Sequence, residues 1–176
     1  MKQIYVQAQA DHIASLFKGT PLAAIEELVW NALDADAREV KVDLVTNPLG
    51  AVEAVRVSDD GTGIDVLRAD QTFGNLGGSW KRAGKGTPTG GRRLHGRQGR
   101  GRFKAFALGQ KNVEWRTTVR VGDQLLSYRL SGAAERPGVF DLEDAPAGFA
   151  TGTEVYVTNV RATVDSLLDA AETVQN

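Results

Sequence analysis

Residues 24–37 read AIEELVWNALDADA. Glu27, Asn31 and Asp34 stand at i, i+4 and i+7, so on an α-helix they share one face, spread over roughly 60°. Ile25, Leu28, Val29, Ala32 and Leu33 fall on the opposite face at core spacing. A start signal lies just upstream, with Thr20 as N-cap and Pro21 at the first helical position. Two carboxylates and an amide thus project together from a helix anchored in a core. That layout suits holding a divalent cation and aiming a water. The polar face of any surface helix carries the same pattern, so the helix by itself leaves both readings open.

Working outward, residues 39–45 (EVKVDLV) and 52–57 (VEAVRV) alternate or run β-branched. Asn47-Pro48-Leu49-Gly50 turns between them, which predicts a β-hairpin. Residues 10–17 predict a short amphipathic helix, and residues 64–70 another. Between residues 74 and 101 glycine is too frequent for a regular element. A loop of that length is usually functional or mobile. Residues 102–108 (RFKAFAL) predict a short helix leaving the loop. Residues 113–119, 124–130, 139–142 and 153–160 read as strands, and residues 161–174 (RATVDSLLDAAETV) as a closing helix. No internal repeat is visible. The elements add up to a mixed α/β chain.

Length and composition limit the rest. The 176 residues suffice for one well-buried domain and not for two large ones. With no cysteine there is no disulfide framework, thiol nucleophile or zinc–cysteine site. Two histidines, His12 and His95, leave little for a histidine metal site. The start, MKQIYVQAQADH, has no apolar signal region, and no stretch approaches the ~18–20 apolar residues of a membrane span. A cytoplasmic protein without membrane contact is the expectation. Net charge is −1, but between Gln71 and Val113 there is no acidic residue, while about half of the chain's cations lie there. Such a segment can neutralise bound phosphates, grip nucleic acid, or be a solvated loop; composition does not choose.

Three further segments carry chemistry. Asp59-Asp60-Gly61-Thr62-Gly63-Ile64 follows a strand. Glycine at 61 and 63 permits positive φ and close approach of a flat ligand, and a carboxylate at the strand end can accept from an exocyclic amine. A plain Asp-Gly turn is the other reading. His95-Gly96-Arg97-Gln98-Gly99-Arg100-Gly101-Arg102-Phe103 leads into a helix, where successive backbone N–H groups form an anion site. It is not a Walker A loop, because Gly78 and Gly84-Lys85 are one residue too far apart and Gly86 replaces the required Ser or Thr. No G-x-G-x-x-G occurs. Thr151-Gly152-Thr153, before the last strand, is weak alone.

In this order, the four segments resemble the GHKL superfamily, the Bergerat-fold ATPases of gyrase B, heat-shock-ninety chaperones, MutL and MORC proteins. The resemblance covers roughly residues 14–159. It implies a two-layer α/β (α+β) sandwich, with a mixed, mostly antiparallel sheet and helices on one face. It implies ATP and Mg2+ as cofactors. Glu27 matches the general base, Asn31 the magnesium ligand, and Asp34 a residue supporting the hydrated metal. Asp59 matches the carboxylate that reads the adenine amine, and Gly61, Gly63 and Ile64 the turn against the base. Gly96, Arg97, Gln98, Gly99, Arg100, Gly101, Arg102 and Phe103 match the phosphate loop, with the glycines better fixed than the side chains. Lys104 joins the arginines as a candidate for phosphate contact. Thr153 matches a hydroxyl near the adenine. Residues 75–94 match the ATP lid.

Glu27 points to the hydrolysing branch, since histidine kinases resemble the asparagine part of the motif but generally lack the glutamate. His12, in DHIASLF, does not fit a phospho-accepting histidine and is read as structural. For His95, nucleotide contact and a solvent-facing place are both open. The expected domain spans residues 1–160, with residues 161–176 leading towards a downstream domain that supplies a Lys or Arg to the γ-phosphate. The expected function is magnesium-dependent ATP binding and slow hydrolysis, driving a conformational and dimerisation cycle in a larger protein. The alternatives are a nucleotide switch without hydrolysis, and a module binding DNA or RNA through the basic loop.

Overall fold

The computed structural model describes residues 9–65, 73, 87, 89, 91–95, 101–109, 111–146, 148, 150–160 and 167. Most of the helix expected at 64–70, of the loop at 74–101 and of the closing helix at 161–174 falls outside the described residues. Leu167 is helical and buried.

Helix α1 (Ala10–Ser15) and helix α2 (Pro21–Asp34) open the described chain. The Thr20 hydroxyl accepts the Ala23 N–H at 3.2 Å, and Pro21 occupies the first turn. A cap of this kind contributes about 1 kcal/mol. The other end of α2 is a Schellman closure. Asp36 N–H donates to the Leu33 carbonyl and Ala37 N–H to the Ala32 carbonyl, both at 3.1 Å. Asp36 takes the left-handed conformation this requires, φ 62°, where glycine is the usual residue and Asn and Asp are the side-chain-bearing residues found most often.

The predicted hairpin forms from β1 (Val40–Thr46) and β2 (Val52–Asp59). Asn47 Oδ1 accepts from the N–H groups of Leu49 and Ala51, which holds the turn. A short helix, α3 (Gly101–Lys104), runs into a 3-10 turn at Ala105–Ala107. Strands β3 (Asn112–Val121), β4 (Gln124–Ala133), β5 (Phe140–Asp144) and β6 (Gly152–Thr158) complete one sheet in the order β1-β2-β6-β3-β4-β5. Every described strand pair is antiparallel. The last strand inserts between β2 and β3, which sets Thr153 beside Asp59 on one side and Thr117 on the other.

One sheet face is apolar. Val55, Val57, Val113, Trp115, Tyr128, Leu130, Val155 and Val157 are buried there against Ile25 and Leu28 of α2 and against Phe103 and Phe106. Gly132 makes room for this layer, because a Cβ there would stand 2.9 Å from both the Phe106 and the Phe140 ring. The opposite face is polar, and Arg116 and Arg129 there pair with Glu114, Glu143 and Glu154. Exposed pairs of this sort contribute little. Among the described residues no helix is long and apolar enough to cross a membrane.

Candidate functional site

The end of α2 is a junction to which two distant segments are tied. Asp34 is 2% exposed, and its Oδ1 accepts the His95 N–H at 2.9 Å. The polar helix face is therefore partly roofed, and Asp34 is less open than its helical position suggests. The Ala35 carbonyl accepts the Thr62 N–H at 2.7 Å. Asp36 takes the Thr87 hydroxyl on Oδ1 and, on Oδ2, the Thr89 N–H and hydroxyl at 2.6 and 2.8 Å. The Ala37 carbonyl accepts from Arg92 at 2.9 Å. Asp60 serves the same junction, accepting the N–H groups of Arg38 and Glu39 at 2.7 and 2.9 Å. Those bonds hold its carboxyl below the usual range. The two aspartates of Asp59-Asp60 thus divide into one facing the site and one fixing the chain.

Asp59 closes β2. Its Oδ1 accepts the Gly61 N–H at 2.8 Å and the Thr153 N–H at 3.3 Å. Burial pushes the carboxyl up to about 6, against the opposing pull of those two N–H groups. Gly63 has φ 77°, as expected of a left-handed glycine. Gly61 does not; it is glycine for space, since a Cβ would stand 2.7 Å from the Ala35 carbonyl oxygen. Ile64 is held from both sides, its N–H by the Thr117 hydroxyl at 2.9 Å and its carbonyl by the Tyr128 hydroxyl. The Thr117 and Thr153 hydroxyls meet at 3.0 Å, and Thr117 also donates to the Gly152 carbonyl. With the single Thr117 proton on Gly152, the Thr153 hydroxyl is the donor of the pair. Thr117 and Tyr128 lie on stretches read only as strands, and no local signal marks them.

Glu27 and Asn31 are half-buried one turn apart on α2. Gly101, at the start of α3, lies hard against Glu27: a Cβ there would stand 1.8 Å from Glu27 Oε1. The structure thereby brings the helix motif against Gly101, where the glycine-rich segment read as a phosphate loop enters α3. Trp30, 41% exposed, stacks on His95 with ring centroids 3.6 Å apart; His95 is thus placed beside α2. Phe103 is buried and packs on Phe17 and Phe140, a core position facing away from solvent. Lys104 donates to the Lys18 carbonyl at 3.0 Å and is committed to the loop before α2. His12 is exposed, so its expected structural role is not one of packing in the core. Gly96, Arg97, Gln98, Gly99 and Arg100 lie outside the described residues, as does the side chain of Arg102.

A cavity of about 650 Å³ lies at the sheet end, lined by Ser58, Arg116, Thr118, Ser127, Arg129 and Glu154 among others. By strand alternation these six project from the face opposite α2. None of Glu27, Asn31 and Asp34 lines it, but Asp59, Thr117, Tyr128 and Thr153 do, so the cavity belongs to the sheet end at Asp59 and says nothing about the polar face of α2. The donor set at that site is an amide and carboxylates. These are hard oxygen ligands that suit magnesium held partly by phosphates.

The family model described as histidine kinase-, DNA gyrase B-, and HSP90-like ATPase matches residues 20–132, well over half of the chain. No curated protein matches it. The chain belongs to this GHKL-type family, and its antiparallel sheet with helices on one face is the α/β sandwich expected of it. It is a GHKL-type ATP-binding domain.

Proposed function

We propose that ATP lies between the polar face of α2 and the sheet end at Asp59, and that the domain hydrolyses it slowly with Glu27 as general base. The setting of Asp59 carries the proposal. A carboxylate is kept in a desolvated place with one oxygen fixed by Gly61 and Thr153. A second carboxylate oxygen is available in kind to accept an adenine amine. Burying a charge this way has a cost, and such costs concentrate at functional sites.

Asn31 would give magnesium an amide oxygen, and the ion when bound offsets the negative charge of the phosphates. Asp34 would support the hydrated metal while holding His95 at the start of the phosphate loop. Backbone N–H groups of the loop through Gly96, Gly99 and Gly101 would meet the triphosphate at the start of α3. Glu27 then accepts the proton of the attacking water, a role worth about 10² to 10⁴ in rate. Self-association on ATP binding belongs to the same reading.

The test separates binding from chemistry. Glu27→Ala should keep ATP affinity and abolish phosphate release, because the base acts on water and not on the ground-state ligand. Asn31→Ala should lose magnesium-dependent binding. ATP binding without any phosphate release by the parent would favour a nucleotide switch instead.

A further inference from the structure

We infer that Asp36 is a positioning residue for the triphosphate: it ties Thr87, Thr89 and Arg92 to the end of α2 and so sets where the phosphate loop begins. The inference rests on the ATP-binding reading above. Asp36 occupies the left-handed position of the helix closure, φ 62°, which glycine adopts without strain. Helix termination alone therefore gives no reason for a carboxylate here.

Its contacts give one. The side chain is 8% exposed, and its two oxygens gather the Thr87 hydroxyl, the Thr89 N–H and the Thr89 hydroxyl. Arg92 Nε lies 3.7 Å from Oδ1, while the same guanidinium donates to the Ala37 carbonyl. The segment is closed on itself as well. Thr87 N–H donates to the Arg92 carbonyl at 2.9 Å, and Arg92 N–H to the Thr87 hydroxyl at 3.0 Å. Three residues on, His95 N–H reaches Asp34. Two carboxylates, two residues apart on the chain, therefore grip both ends of one segment. Asp34 holds the His95 N–H at one end; Asp36 holds the other end at several points. Asp59 and its partners lie on a different segment, so Asp36 governs the phosphate end of the site and not the base end.

Two variants of the full chain test this. Asp36→Gly keeps the backbone conformation and removes the carboxylate; Asp36→Asn keeps the shape and removes the charge. Amide exchange by NMR without nucleotide should quicken about tenfold at Thr87, Thr89 and Arg92 in Asp36→Gly, the loss expected for a charged hydrogen-bonded anchor. Protection in β2, β6 and β3 should stay as in the parent. Magnesium-ATP affinity by calorimetry should fall about tenfold, with Asp36→Asn between the two. Adenosine, read by ligand-observed NMR, should bind the parent and Asp36→Gly alike. A parent that binds ATP beside an Asp36→Gly variant that binds it equally well overturns the inference alone. So does parallel loss of ATP and adenosine, which would mean a general loss of structure. A parent with no affinity for ATP overturns the nucleotide reading instead, and unchanged exchange at Thr89 and Arg92 overturns the anchor whatever binds.

Discussion

The Glu27 carboxylate occupies the place where a side chain on Gly101 would begin, with Oε1 at 1.8 Å, Cδ at 2.5 Å and Cγ at 2.8 Å from an ideal Cβ. The backbone of one motif thus sets the position of the proposed base in another. Gly101→Ala must displace Glu27, although alanine is the better helix former. Phosphate release should fall about 10²-fold, as misplacement of a reacting group by ~1 Å can do, while the melting temperature holds. An unchanged rate would mean that hydrolysis does not depend on where Glu27 sits.

ATP affinity should depend on pH through Asp59. The carboxylate is the form that accepts an adenine amine, and in the free protein its carboxyl is pushed up to about 6. Affinity should therefore rise with pH up to about 6 and level off above it, losing about tenfold per unit below. Calorimetry from pH 5 to 8 reads this. In Asp59→Asn the dependence should vanish, with binding weaker by roughly 1.5–3 kcal/mol.

Stability should run the other way. A carboxyl raised from 3.8 to about 6 on folding stabilises the fold fully below pH 3.8 and loses that contribution as pH rises through 6. At pH 7 Asp59→Asn should make the nucleotide-free protein more stable, by at most about 3 kcal/mol. Denaturant titration of both proteins at pH 4 and pH 7 checks the sign. A less stable Asp59→Asn at pH 7 would mean that the two N–H bonds outweigh desolvation.

Asp60 should behave in the opposite sense to its neighbour. Its carboxylate fixes the Arg38 and Glu39 N–H groups, so Asp60→Ala should lower the melting temperature and leave discrimination between ATP and GTP in place. Loss of that discrimination in Asp60→Ala would reassign the base-reading carboxylate.

Much of this was legible in the chain. Thr20-Pro21, the i, i+4, i+7 polar face and the Asn47–Gly50 turn are local signals, and α2 and the β1–β2 hairpin formed where those signals lie. Alternation also placed the later strands. The order of the sheet was not legible, because insertion of β6 between β2 and β3 depends on pairings that no window of sequence contains. Thr117 and Tyr128 were missed for that reason: each holds Ile64 from more than fifty residues away. Asp34 was read from helical phase and from the resemblance, and neither shows that it is buried with the distant His95 N–H on its carboxylate. Asp36 was not singled out in the sequence; its φ and its bonds to Thr87 and Thr89 set it apart.

Calorimetry of the parent with ATP and with GTP, each with magnesium, tests the central claim most directly. GTP presents a carbonyl where adenine presents an amine, and a carboxylate at Asp59 repels it. ATP should bind at least tenfold more tightly, the smallest difference a charged hydrogen bond of ~1.5 kcal/mol allows. Equal affinity for the two, or none for ATP, would contradict the account.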